Sequence, residues 1–161
     1  MSDPKTIRPF TLSIPSSDLD DLQTRLRLTR WPDKETVDDE SQGVPLATVQ
    51  ELCEYWQTSY DWCRCQDLLN SYPQFATTID GLEIYFLHFR SKHADALPML
   101  ITHGWPGSVL EFRHVINNLI DPEDAKDAFH LVIPALPGYA FSEKPRETGG
   151  VSRGRRGRGR S

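Results

Sequence analysis

The chain has little with which to cross a membrane, cross-link itself or hold a metal. No apolar run approaches the roughly 20 residues that a bilayer-spanning helix needs. Asp3, Pro4, Lys5 and Arg8 break up the first ten residues, so they do not read as a secretory signal. The three cysteines are Cys53, Cys63 and Cys65. An odd number, with two of them two residues apart, does not make a disulfide framework, and no second pair or helically spaced histidine completes a zinc site. Reduced thiols in a soluble, cytoplasmic protein are the expectation. Charge of one sign is concentrated only in residues 151–161, which carry Arg153, Arg155, Arg156, Arg158 and Arg160 and no acid, against a net charge of −5 for the whole chain. A G-x-S-x-G nucleophile turn is also absent.

What is present is enough for one hydrophobic core: 161 residues, 38% of them hydrophobic. Phe10–Ile14 alternates like a short extended segment. Ser16 and Ser17 offer a helix cap, followed by acids at Asp18, Asp20 and Asp21 and by Leu19, Leu22, Leu26 and Leu28 at helical spacing. Trp31-Pro32 closes that helix. Pro45 suits the first position of a second helix, expected over about 46–60, and a third is expected over about 61–69. Tyr55, Trp56 and Trp62 read as core packing, because aromatics at helical spacing usually bury area.

After Pro73 the period changes. Residues 75–79 and 82–89 are strand-like and are joined by Asp80-Gly81, the strongest short-range signal for a hairpin. His88, in the second of these strands, reads as structural or solvent-facing, and His93 as surface. An apolar strand is expected at 97–102, a helix from about Ser108 to Leu119 with its stripe at Val109, Phe112, Val115, Ile116 and Leu119, and a buried parallel strand at 129–134. A hairpin followed by strand, helix and strand is the entry to an α/β sheet with a right-handed crossover.

The chemistry concentrates where strand 97–102 ends, in His103-Gly104-Trp105-Pro106-Gly107-Ser108. Acyl-transfer enzymes aim backbone N–H groups at the oxygen that becomes negative in the transition state. A turn of this kind presents the Trp105 amide as such a donor. Pro106 restricts the backbone before it, Gly104 and Gly107 relieve crowding, and Ser108 caps the helix that follows, whose N-terminus adds positive potential. The tetrapeptide alone reads equally well as a plain strand-to-helix turn. A second turn, Pro137-Gly138-Tyr139, recurs one strand later.

Several ordered blocks carry a resemblance: Phe10-Thr11-Leu12-Ser13-Ile14-Pro15, Thr29-Arg30-Trp31-Pro32, Gly43-Val44-Pro45-Leu46, Tyr60-Asp61-Trp62, Pro73-Gln74-Phe75, Ile79-Asp80-Gly81-Leu82, Phe86-Leu87-His88, Thr102 to Ser108, and Pro134 to Ser142. Over about residues 7–148 the chain resembles the microsomal-type (juvenile-hormone-type) epoxide hydrolases of the α/β-hydrolase superfamily. The resemblance implies an α/β fold: an N-terminal helical region, then a β-hairpin and the first strand–helix–strand of an incomplete α/β-hydrolase sheet. Residues 1–72 correspond to the helical and meandering part of the N-terminal domain, 73–148 to the start of the hydrolase core, and 149–161 to a disordered Arg/Gly-rich tail. It also implies a reaction without cofactor or metal, in which an aspartate opens an epoxide and water then releases the diol from the ester. Trp105 would supply the oxyanion donor, His103, Gly104, Pro106 and Gly107 would support it, and Tyr139 would contact substrate. At Ala140 the chain departs from the family's usual glycine, which tightens that turn.

The larger departure is chemical. The family's Gly-Gly-Asp-Trp-Gly-like nucleophile elbow does not occur in these residues, and 55 residues follow Pro106, too few for nucleophile, acid and catalytic histidine. His114 and His130 precede the place where a nucleophile would stand, whereas the hydrolase order puts the histidine last. The expectation is a fragment without turnover of its own. The alternative is a non-catalytic module that binds a protein or RNA partner through its sheet edge or Arg/Gly tail. That tail lacks interleaved aromatics, so nucleic-acid binding is not expected, and its composition is also compatible with GC-rich DNA translated out of frame. With no further strand beside it, 97–102 would leave an apolar edge, and self-association is the consequence.

Overall fold

The computed structural model describes residues 6–146, so the Arg/Gly-rich tail at 149–161 lies outside the described residues. Leu12–Leu69 forms one compact unit, and the described residues on either side of it form the other.

Three helices make the first unit: α1 Ser16–Arg27, α2 Leu46–Thr58 and α3 Trp62–Asn70. α2 and α3 begin within a residue of the sequence expectation, but the residues that cap the helices differ from it. Pro15, at φ −59° and ψ 142°, holds the position before α1, and Ser16 and Ser17 lie inside its first turn, so neither caps it. Pro45 likewise precedes α2 and is not its first helical residue. The Leu46 amide is capped from a distance by the Glu35 carboxylate, at 2.9 Å. That backbone hydrogen bond holds the Glu35 carboxyl below its ordinary range. Asp61 serves α3 in the same way, accepting from the Cys63 amide at 2.8 Å. Leu28, expected on the α1 stripe, falls just past the helix and is 73% exposed.

The aromatic reading of this unit needs correction. Neither α1 nor α2 has a buried residue, and Tyr55 and Trp56 are 55% and 42% exposed, while Trp62 is half-buried. A unit of three short helices has too little interior to enclose every large side chain that its spacing presents.

A five-stranded mixed sheet organises the second unit, with strands β1 Arg8–Pro9, β2 Gln74–Ile79, β3 Leu82–Phe89, β4 Leu97–Leu100 and β5 Phe129–Pro134 in the spatial order β1-β2-β3-β5-β4. The extended segment read at 10–14 pairs earlier than expected: Arg8 and Pro9 lie opposite Ala76 and Phe75, and the Phe10 amide donates to Gln74 O at 3.0 Å. The β2–β3 hairpin turns at Asp80-Gly81, both at positive φ (50° and 82°), which is the backbone a two-residue hairpin loop needs. β5 runs antiparallel to β3 and parallel to β4.

The core sits on the central strands. Opposite pairs Leu87/Ile133 and Phe89/Leu131 share one face with Tyr85 and Ala135, and all six are buried. Phe10, Tyr85 and Phe141 pack there as a triangle with ring centroids 5.0 to 5.8 Å apart. Tyr85 is wholly buried because its hydroxyl has a partner, Gln74 Oε1 at 2.7 Å. β4 is the edge: Leu97 and Leu100 are 60% and 64% exposed.

Between β4 and β5 the single helix expected over 108–119 is broken. A 3-10 turn spans Val109–Phe112, and α4 is only Ile116–Ile120. Val109 and Ile116 are buried, but the break rotates Val115 outward, to 42% exposed. A four-residue turn aligns too few peptide dipoles for the positive helix end that the sequence suggested.

Candidate functional site

Because β4 and β5 are parallel neighbours, the chain leaves both at the same end of the sheet, and the two motif turns emerge side by side. Ile101 continues the ladder, its amide donating to Val132 O at 3.1 Å. His103 then turns inward and is 3% exposed. Its Nε2 lies 3.1 Å from the Leu136 amide and its Nδ1 3.0 Å from Gly104 O, and its ring meets the Tyr139 ring edge-on with centroids 5.1 Å apart. One buried imidazole therefore joins the turn after β4 to the turn after β5.

Trp105, next in the chain, is 82% exposed, and its peptide bond to Pro106 is cis. Among the described residues the Trp105 amide has no hydrogen-bond acceptor. The turn ends at Ser108, whose Oγ accepts from the Leu110 amide at 3.2 Å while Glu111 Oε1 accepts from the Ser108 amide at 3.1 Å. Ser108 and Glu111 form a reciprocal capping box, which the Ser-x-x-Glu spacing at 108–111 announces in the sequence. Ser108 thus caps as expected, but it caps a 3-10 turn.

The second turn is held from below. Ser142, 6% exposed, donates its hydroxyl to Ala135 O at 2.8 Å and accepts the Tyr85 amide at 3.0 Å. Gly138 and Ala140 both take positive φ, 84° and 44°. The Tyr139 amide bonds Leu136 O, and the Ser142 amide bonds Tyr139 O. Between the turns lies an open cleft of about 580 Å³, lined by Pro106, Gly107, Ser108, Glu111, Arg113 and Tyr139 among others. The structure therefore brings Pro106, Gly107 and Tyr139 together around one cleft. His103 is buried and does not line it, and Trp105 stands in solvent.

Sequence reasoning missed Ser142, Glu111 and Arg113. Nothing in the sequence marks Ser142 as the bridge between two strands, because its partners are backbone groups 7 and 57 residues away. The other histidines have separate tasks. His130 Nδ1 accepts the Ser91 amide at 3.0 Å, His93 lies 3.8 Å from Asp121, and His114 is exposed. His88 packs edge-on against Phe75, and burial, then Arg90 and His130, push its pKa below the ordinary histidine value. No disulfide joins Cys53, Cys63 and Cys65, and among the described residues no cluster of His, Cys, Asp and Glu could hold a metal ion. No helix of the described residues is long and apolar enough to cross a membrane.

Comparison with known proteins gives a consistent result. Residues 7–112 match the family described as "Epoxide hydrolase N terminus". An epoxide hydrolase homologue of Stigmatella aurantiaca is 56% identical over 89% of this chain and 33% of its own length. Juvenile hormone epoxide hydrolase 2 of Ctenocephalides felis is 37% identical over 89% of this chain and 32% of its own. Among solved structures, an enantioselective mutant of the Aspergillus niger epoxide hydrolase superposes with a TM-score of 0.77 at 38% identity, covering 87% of this chain and 38% of that one. The juvenile hormone epoxide hydrolase of Bombyx mori gives 0.75 at 31%, covering 89% and 39%. The chain spans about a third of the length of the curated relatives it matches.

Proposed function

The chain belongs to the epoxide hydrolase family through that family's N-terminal domain, and from this we propose that its sheet and two turns form the oxyanion side of an epoxide-opening site. Its fold is the N-terminal part of the α/β-hydrolase sheet. The observation that carries the proposal is the Trp105 amide, a donor without an acceptor, on a turn fixed to the sheet by buried His103.

In the family reaction an aspartate opens the epoxide and forms an ester, and water then attacks the acyl carbon. Negative charge develops on the ester oxygen in that second step, where a fixed N–H donor lowers the barrier. Trp105 supplies the donor. His103, Gly104, Pro106 and Gly107 shape the turn, and Tyr139 on the cleft wall meets the substrate, a small-molecule epoxide. No group in the pathway requires a metal or cofactor. Three cysteines that form no disulfide fit a reducing, cytoplasmic setting. In this reading residues 1–72 belong to the N-terminal region and 73–148 to the start of the hydrolase core.

The residues given contain no nucleophile elbow, so the chain by itself turns nothing over. The test has two arms. The purified chain is assayed for diol formation from an aryl epoxide, with none expected. Residues 7–146 then replace their counterpart in the Stigmatella aurantiaca homologue, and diol formation is expected from the chimera. Turnover by the chain alone overturns the silent reading, and a folded but inactive chimera overturns the catalytic one. A second reading, a non-catalytic module that docks through its sheet edge, draws on the exposed Leu97 and Leu100 of β4.

A further inference from the structure

We propose that His103 is a positioning residue that aims the Trp105 amide, and that it does so as one fixed tautomer, protonated on Nδ1 and bare on Nε2. The proposal deepens the oxyanion reading above and rests on it for its catalytic meaning. Its structural content stands on the hydrogen bonds alone.

The Leu136 N–H can only donate, so the Nε2 that faces it at 3.1 Å must accept and carry no proton. A neutral imidazole has one N–H, which then sits on Nδ1 and points to Gly104 O at 3.0 Å, a group that can only accept. Both partners are main chain, whose donor and acceptor roles cannot exchange, and the ring is 3% exposed.

The consequence lies one atom further on. Gly104 C=O and Trp105 N–H belong to the same peptide unit. That unit is planar and trans, since the cis bond is the next one, and in a trans peptide C=O and N–H point in opposite directions. Holding Gly104 O against His103 Nδ1 therefore turns the Trp105 N–H away from the ring. Gly107 leaves the room this requires, because a methyl group there would stand 2.8 Å from Gly104 O. The Leu136 contact supplies the reference: it ties the ring to the chain leaving β5, so the donor is aimed relative to the sheet and not merely to its own loop. Tyr139, edge-on to the ring, restrains its rotation.

The test begins with the chain itself, uniformly 15N-labelled. Long-range imidazole correlations should show the Nδ1–H tautomer for one histidine, identified by its loss in His103→Gln. An Nε2–H tautomer, or a rapidly exchanging mixture, overturns the proposal. His103→Phe keeps a ring against Tyr139 and removes both hydrogen bonds. In this variant the Leu136 amide should exchange about tenfold faster or more, and the Trp105 amide resonance should move while the β2–β3 hairpin resonances stay. His103→Gln, which can still accept from Leu136, should fall between the two. An unmoved Trp105 resonance overturns the aiming role. In the chimera, His103→Phe should lower kcat about 10- to 100-fold with KM within about twofold and let the ester intermediate accumulate. A raised KM at unchanged kcat overturns the catalytic meaning. If the unsubstituted chimera makes no diol, the epoxide reading fails, and the tautomer and exchange results still decide whether His103 aims the amide.

Discussion

Gly107 lies so close to Glu111 that a methyl group on its α-carbon would stand 1.6 Å from Glu111 Oε1. The glycine is there for the neighbour's carboxylate, which reaches back to the Ser108 amide and completes the cap. Gly107→Ala should therefore cost about 1–2 kcal/mol, through the lost cap and a shifted Gly104 carbonyl. Urea unfolding of Gly107→Ala, Glu111→Ala and the double variant checks this. The two changes should be less than additive, because removing Glu111 leaves only the 2.8 Å contact with Gly104 O.

Ala140 has φ +44°, a left-handed backbone that costs an ordinary L-residue about 1–2 kcal/mol. A glycine at this place would carry no such cost. Ala140→Gly should raise stability by about 0.5–1 kcal/mol, part of the relief being offset by a freer unfolded chain. A lower urea midpoint for this variant would contradict the turn geometry.

Ser142 joins Ala135 O and the Tyr85 amide through one buried hydroxyl. Ser142→Ala leaves both groups buried without that partner and should cost about 1–3 kcal/mol. Ser142→Cys should recover only part of the loss, since a thiol is a weak donor and acceptor.

Burial holds the His88 pKa below its ordinary 6.5, with Arg90 and His130 adding to the effect. The unfolded chain then binds its proton at higher pH than the folded one. The resulting stability is fully present above 6.5 and is lost as pH falls from 6.5 through the folded value. Urea midpoints at pH 7.5 and 5.5 should differ less for His88→Gln than for the natural chain. An equal pH dependence would show that His88 does not set it.

β4 offers only half of an ordinary edge. The Leu97 and Ile101 amides both point at β5, so the alternate positions 98 and 100 face outward. Pro98 has no N–H to give, while Leu100 keeps its own and is 64% exposed. The chain should self-associate in a concentration-dependent way through Leu100, and Leu100→Lys should weaken association about tenfold in sedimentation equilibrium. A natural chain that stays monomeric at high concentration would refute this.

Much of this molecule could be read from local chemistry. Asp80-Gly81 between two β-rich runs names a two-residue hairpin because few other residues accept positive φ twice in succession. The strand at 129–134 and the three helices of the first unit likewise follow from spacing. The turn after β4 was legible as His-Gly-Trp-Pro, and the ordered blocks around it pointed to the family. Less legible were the ends of elements. Pro15 and Pro45 stand before their helices and not within them, and a distant glutamate caps α2, which no neighbouring residue reveals. The helix drawn over 108–119 failed for a related reason: its spacing suits a helix, but the Ser108–Glu111 cap closes a 3-10 turn and the chain restarts at Ile116.

The sequence by itself determined the family, the order of strands and helices along the chain, and the residues of both turns, because each depends on contacts between residues near one another. Only the tertiary structure decided what those residues do to each other. It put β4 and β5 side by side and parallel, so that His103 meets an amide 33 residues away and its tautomer is set. It turned Tyr55 and Trp56 outward, where spacing alone placed them inside. Spacing says which side chains share a face. What that face meets is settled by chain segments far away in sequence.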